Sequence, residues 1–107
     1  MAVFNKLVRD KIPELIEQAG KKGTFRILGK EEFKSELMKK LIDEAKDFQY
    51  DNDQENIIDS LAEILETVYT MAESCGIMKE ELEEKRNVRI QSRGAFAQRL
   101  FLMELCD

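Results

Sequence analysis

Residues 40–69 read KLIDEAKDFQYDNDQENIIDSLAEILETVY, and this stretch decides the fold. Residues three, four and seven apart share one face of a helix. Glu44, Asp47 and Asp51 therefore form one carboxylate stripe, and Lys40 lies on the same line. Leu37, Met38, Leu41, Ala45 and Phe48 make the neighbouring apolar stripe of a helix expected over about residues 30–50. After an acidic turn, Asn52 and Glu55 have the spacing of a capping box. They open a second helix whose expected apolar face is Ile57, Ile58, Leu61, Leu65, Val68 and Ala72, ending at Gly76. The short turn makes the two helices antiparallel neighbours.

The elements around this pair are shorter. Asp10 is expected to cap a helix reaching about Ala19, with Pro13 in its first turn and Gly20 closing it. Thr24–Leu28 (TFRIL) has the composition of a short strand. A charged helix is expected over about residues 79–91, before Gly94, which suits a positive-φ turn. The apolar tail, Phe96 to Leu105, fits a strand (residues 97–104) or a last helical turn, with Phe96 packed in the core. The fold expected is a mostly all-α antiparallel helical bundle, one domain over residues 1–107.

Composition narrows the function. Seventeen Lys and Arg against 22 Asp and Glu give a net charge of −5, which disfavours nucleic acid as the main partner. No apolar run approaches the roughly 20 residues of a membrane span, and no signal-peptide pattern opens the chain. Cys75 and Cys106 lack metal-motif spacing and are expected as reduced, mostly buried thiols of a cytoplasmic protein. Histidine is absent, which removes Ser-His and Cys-His nucleophile pairs and imidazole zinc sites. Any catalysis rests on carboxylates, Lys, Arg, Tyr or a hard metal ion.

Two readings of the carboxylates stay open on spacing alone. Asp59, Glu63 and Glu66 lie largely opposite the expected apolar stripe of their helix, so both acidic faces are solvated in the plainer reading. In the other reading, the two helices share a Mg²⁺ ion held by hard oxygen ligands.

The run NKLVRDKIPELI (residues 5–16) resembles the opening of MazG-like, all-α nucleoside triphosphate pyrophosphohydrolases, the phosphoribosyl-ATP pyrophosphohydrolase-like group. KLIDEAKDF is similar to that family's E-E-x-x-E segment, SLAEILETVY to its E-L-A-D-x-L-E-x-x-Y segment, and RGAF (residues 93–96) to its R-G-G-F. The resemblance implies a helical bundle working as a homodimer or higher homo-oligomer. It also implies Mg²⁺ (with Mn²⁺ as substitute) and cleavage of an NTP or dNTP between the α and β phosphates. By resemblance Glu44, Asp47 and Glu63 hold the metal, and Asp59 or Glu66 serves as a further ligand or water-orienting base. Lys6, Arg9, Arg89 and Arg93 would then grip the triphosphate. Ser60 departs from the pattern, standing where the family has the Glu of its second metal-binding pair, an E-x-x-D. A neutral hydroxyl there removes one charge, so a bundle without turnover, or one that only binds nucleotide or a partner, stands as the competing expectation.

Overall fold

The computed structural model describes residues 2–106. Four helices follow one another: α1 (Ile12–Gln18), α2 (Lys30–Phe48), α3 (Gln54–Ser74) and α4 (Lys79–Arg93). Each boundary has a local cause. Pro13 sits in the first turn of α1, where its missing N–H interrupts no helical bond. Its N-cap is Lys11 and not Asp10, which lies one residue too early in a turn whose Ile12 N–H donates to the Arg9 carbonyl. Glu31 and Glu32 place negative charge in the first turn of α2, complementing the helix dipole. The Arg26 guanidinium pairs with Glu32 there and holds its carboxyl below the ordinary range.

At α3 the cap shifts one residue from the Asn52 expectation. The Asp53 carboxylate accepts from the Asn56 N–H at 2.9 Å. The helix ends at Gly76, whose φ of +76° lets the Ile77 N–H turn back to the Ala72 carbonyl. For α4, the Glu81 side chain accepts from the Met78 N–H, and Gly94 terminates it at φ +83°.

The antiparallel pair α2–α3 is the main packing unit, and α4 rests on α3 more lightly. No strand forms among the described residues, neither at 24–28 nor at 97–104. A single extended segment leaves its backbone groups unpaired unless another edge lies alongside, and none does here. The tail stands exposed, Phe96 at 94%, so it packs into no core of its own chain. Cys75 and Cys106 are likewise exposed, one just past the end of α3 and the other in that tail.

Burial departs furthest from expectation on α3. The row facing α2 is Ile57, Ser60, Ile64, Thr67 and Met71, spaced three and four apart, with Thr67 only 3% exposed. Ile58, Leu61 and Leu65 form a second apolar row that remains open, while Val68 and Ala72 are covered. On α2, Leu37 is buried and Leu41 half-buried, whereas Met38, Ala45 and Phe48 are exposed. The only buried apolar residues among those described are Leu37 and Ala72.

The candidate carboxylate site between α2 and α3

Two side-chain hydrogen bonds fix how the helices are paired. The Thr67 hydroxyl lies 2.7 Å from Glu44 Oε1 and 2.9 Å from the Glu63 carbonyl oxygen of its own helix, its one proton directed to the nearer carboxylate, and the Ser60 hydroxyl donates to Asp51 Oδ2. Residues 44, 47 and 51 ascend α2 and its C-terminal turn as 67, 63 and 60 descend α3. With 44 opposite 67 and 51 opposite 60, Asp47 and Glu63 fall at the same level of the antiparallel pair.

Lys40 links the two helices at this row. Its ammonium is 3.5 Å from Glu44 Oε2 and 3.9 Å from Glu63 Oε2. Glu44 and Glu63 thus attend one cation from opposite helices. The Glu44 side chain is only 13% exposed, so its partners hold it where solvent screens little. Glu63, more exposed, also receives the Arg9 guanidinium, which brings the N-terminal segment against the middle of α3.

The residues expected at the site therefore divide. Glu44, Glu63 and Arg9 are brought together directly, and Asp47 stands exposed at the level of Glu63. Asp59 and Glu66 lie on the solvent side of α3, both exposed. Lys6 is exposed, its ammonium 5.7 Å from the centre of the Phe4 ring. Arg89 lines an apolar groove between α3 and α4, walled by Leu65, Val68 and Leu82. Arg93 ends α4, where its charge complements the helix dipole. No group of three or more His, Cys, Asp or Glu gathers closely enough to hold a metal by itself among the described residues.

One residue was missed from the sequence, Thr67, together with one contact, that of Asp51 of the carboxylate stripe with Ser60. Thr67 is the buried anchor of Glu44, and its signal was its place on the row through Ser60, Ile64 and Met71. Asp51 delivers a carboxylate to Ser60, so the charge absent from α3 at that position is present across the gap, on the turn after α2.

At the far side of α3, the Tyr69 hydroxyl donates to Glu83 Oε1 at 2.8 Å, and Arg86 pairs with Glu83 at 3.0 Å. The Lys79 ammonium sits 4.7 Å from the centre of the Tyr69 ring. Tyr69 is thus a rim residue tying α4 to α3. The hydrogen bond from Tyr69, followed by that from Arg86, holds the Glu83 carboxyl below its usual range, and the same contact raises the Tyr69 phenol.

The sequence model of the MazG-like family matches residues 26–96, about two thirds of the chain. That span contains α2, α3 and α4 and every carboxylate of the row. No curated protein and no solved structure gives a match.

Proposed function

Because the chain belongs to the MazG-like family, whose fold is of the nucleotide pyrophosphohydrolase type, we propose that it hydrolyses nucleoside triphosphates between the α and β phosphates, giving monophosphate and pyrophosphate. One observation carries this reading: Glu44 and Glu63 converge from facing helices on a single ammonium, with Arg9 alongside. Two carboxylates that share a cation have the donor chemistry for Mg²⁺, which takes few carboxylates and keeps waters and phosphate oxygens as its other ligands. Glu44, Glu63 and Asp47 would hold it, with Lys40 withdrawing toward the phosphates.

Bound there, Mg²⁺ lowers the pKa of water and offsets charge on the phosphate oxygens. The protein's own part is positional. Thr67 holds the Glu44 carboxylate at one angle, so little reorganisation is needed when a triphosphate arrives. Arg9 exchanges Glu63 for a phosphate oxygen, a contact its planar fork suits. Asp59 and Glu66, on the outer edge, stand as further ligand or water-orienting base.

A second reading rests on Ser60: a bundle that binds nucleotide or a partner without turnover. Substitution separates the two. Glu44→Gln and Glu63→Gln are each expected to lower turnover on the order of 100-fold, the scale for losing one preorganised electrostatic group at a reacting centre, here one that holds the metal. Both should also weaken Mn²⁺ binding titrated calorimetrically without nucleotide. Metal binding that survives in both variants overturns this assignment. Tight metal and nucleotide binding with no product formed supports the second reading.

A further inference from the structure

Every oxygen of the two converging carboxylates already has a partner. Glu44 gives Oε1 to the Thr67 hydroxyl and Oε2 to the Lys40 ammonium, 3.5 Å away. Glu63 gives Oε1 to the Arg9 guanidinium and Oε2 to the same ammonium, 3.9 Å away. The point where the two carboxylates meet is therefore Lys40 itself. Asp47 and Asp51, on the same stripe, enter no ion pair among the described residues. The cations are aimed at the pair that converges, not spread along the stripe.

Helix stabilisation does not account for this placement. A Lys four residues before a Glu is the weaker orientation of such a pair, because the reverse order also suits the helix dipole. Lys39 shows the ordinary arrangement: it follows Glu36, pairs with it on the surface of α2, and its side chain is 68% exposed. The Lys40 side chain is 32% exposed and reaches both helices.

Glu44 and Glu63 can turn to a divalent ion only by giving up an oxygen held by Lys40 or Arg9. Arg9 comes from the segment before α1, whereas Lys40 lies one turn from Glu44 on the same rigid helix. Its ammonium therefore stays within a side chain's length of the carboxylates. It stops opposing a second cation there only when another anion accepts it. A triphosphate is such an anion, and a compact ammonium on a flexible stem suits it.

We propose that Lys40 couples the two ligands of the site, an inference that rests on reading this row as a place for a divalent ion and a triphosphate. With no triphosphate present, the ammonium keeps Glu44 and Glu63 closed to the ion. With one present, it swings to the phosphate oxygens and the same two carboxylates open. The side chain acts with opposite sign on the two ligands: it lowers affinity for the free ion and raises affinity for the ion–triphosphate complex. Linkage makes the preference mutual, so the site loads ion and triphosphate together.

Calorimetry on full-length chains reads both signs. Mn²⁺ alone is titrated into wild type, Lys40→Met and Lys40→Arg, and α,β-methylene analogues of the common NTPs are then titrated as their Mn²⁺ complexes. Lys40→Met is expected to bind Mn²⁺ alone about 10-fold more tightly than wild type and the complexes about 10-fold more weakly, a usual size for coupling between ligands. Lys40→Arg keeps the charge and is expected to bind Mn²⁺ alone no more tightly than wild type. Lys39→Met makes the same change of net charge one residue away, where solvent screens it, and is expected to leave both affinities within about twofold. If both affinities fall in Lys40→Met, the residue merely supports the fold and the proposal is overturned. An unchanged affinity for Mn²⁺ alone leaves only a phosphate contact and also overturns it, as does an equal gain in Lys39→Met. Opposite shifts in Lys40→Met without any turnover by wild type would uphold the role of Lys40 and refute hydrolysis. Turnover by wild type with no gain in Mn²⁺ affinity in Lys40→Met would do the reverse.

Discussion

Replacing Thr67 with valine removes one hydroxyl while leaving the shape of the side chain. Thr67 is 3% exposed, and its hydroxyl lies 2.7 Å from Glu44 Oε1. A hydrogen bond to a charged group contributes about 1.5–3 kcal/mol. Glu44 keeps Lys40 at 3.5 Å and some access to water, and the Thr67 hydroxyl also has the Glu63 carbonyl of its own helix within 2.9 Å, which together place the expected loss toward the lower end, about 1.5–2 kcal/mol. No cavity opens, so little is added for packing. At about 4–6 °C per kcal/mol for a chain of this size, Tm falls by roughly 6–12 °C. In urea, with m of about 1–3 kcal/mol/M, the midpoint drops by on the order of 1 M. The assay is urea unfolding at one fixed protein concentration, because self-association changes apparent stability. Thr70→Val is the control: that hydroxyl donates only to the Glu66 carbonyl of its own helix, and the expected change is within about 0.5 kcal/mol. A Thr67→Val loss no greater than that of Thr70→Val refutes the reasoning, and with it the idea that Glu44 is held rigidly.

Four further expectations follow from particular contacts. The Glu83 carboxyl is depressed by Tyr69 and then Arg86, so its contribution is present above its unfolded pKa and is lost as pH falls through the folded value. Wild type should therefore lose more stability than Glu83→Gln between about pH 5 and pH 3, in paired urea curves, and parallel curves would contradict this. The Tyr69 phenol is raised by the same bond, so its contribution holds below about pH 10 and fades as pH rises through the folded value. Asp53→Ala removes the α3 cap and should cost about 1 kcal/mol in the same assay, whereas Asn52→Ala should cost little. Asp51→Asn is expected to weaken Mn²⁺ binding, and adding Ser60→Glu to it to restore that binding, since the charge then returns on the facing helix. Equal affinity of wild type and Asp51→Asn would show that Asp51 lends nothing to the site.

Much of this architecture was legible because it is local. Caps, glycine stops and the 3.6-residue period gave α2, α3 and α4 nearly to the residue, since those signals act within a turn or two. What failed was a choice between faces. On α3, the row Ile57–Ile64–Met71 and the row Ile58–Leu61–Leu65 both have helical spacing, and only the position of α2 decides which is inner. A helix amphipathic on two sides looks the same in sequence whether its second row meets its own chain or another. The Asp51–Ser60 pair was hidden for a related reason: it depends on the register of two helices, set by the five residues of the turn. Glu44, Asp47 and Glu63 were legible through resemblance to a family motif, whereas Thr67, which fits no acidic pattern, emerged only from burial. The strands expected at 24–28 and 97–104 followed composition where no edge was present to pair with them.

Cleavage between the α and β phosphates at the row shared by α2 and α3 is proposed here, and ³¹P NMR reads it without a coupled assay. Purified full-length protein is followed with Mg²⁺ and a panel of NTPs and dNTPs. Nucleoside monophosphate and pyrophosphate are expected to rise together, both abolished by EDTA and by Glu44→Gln. Orthophosphate with nucleoside diphosphate, or no product with any nucleotide or metal, would contradict it.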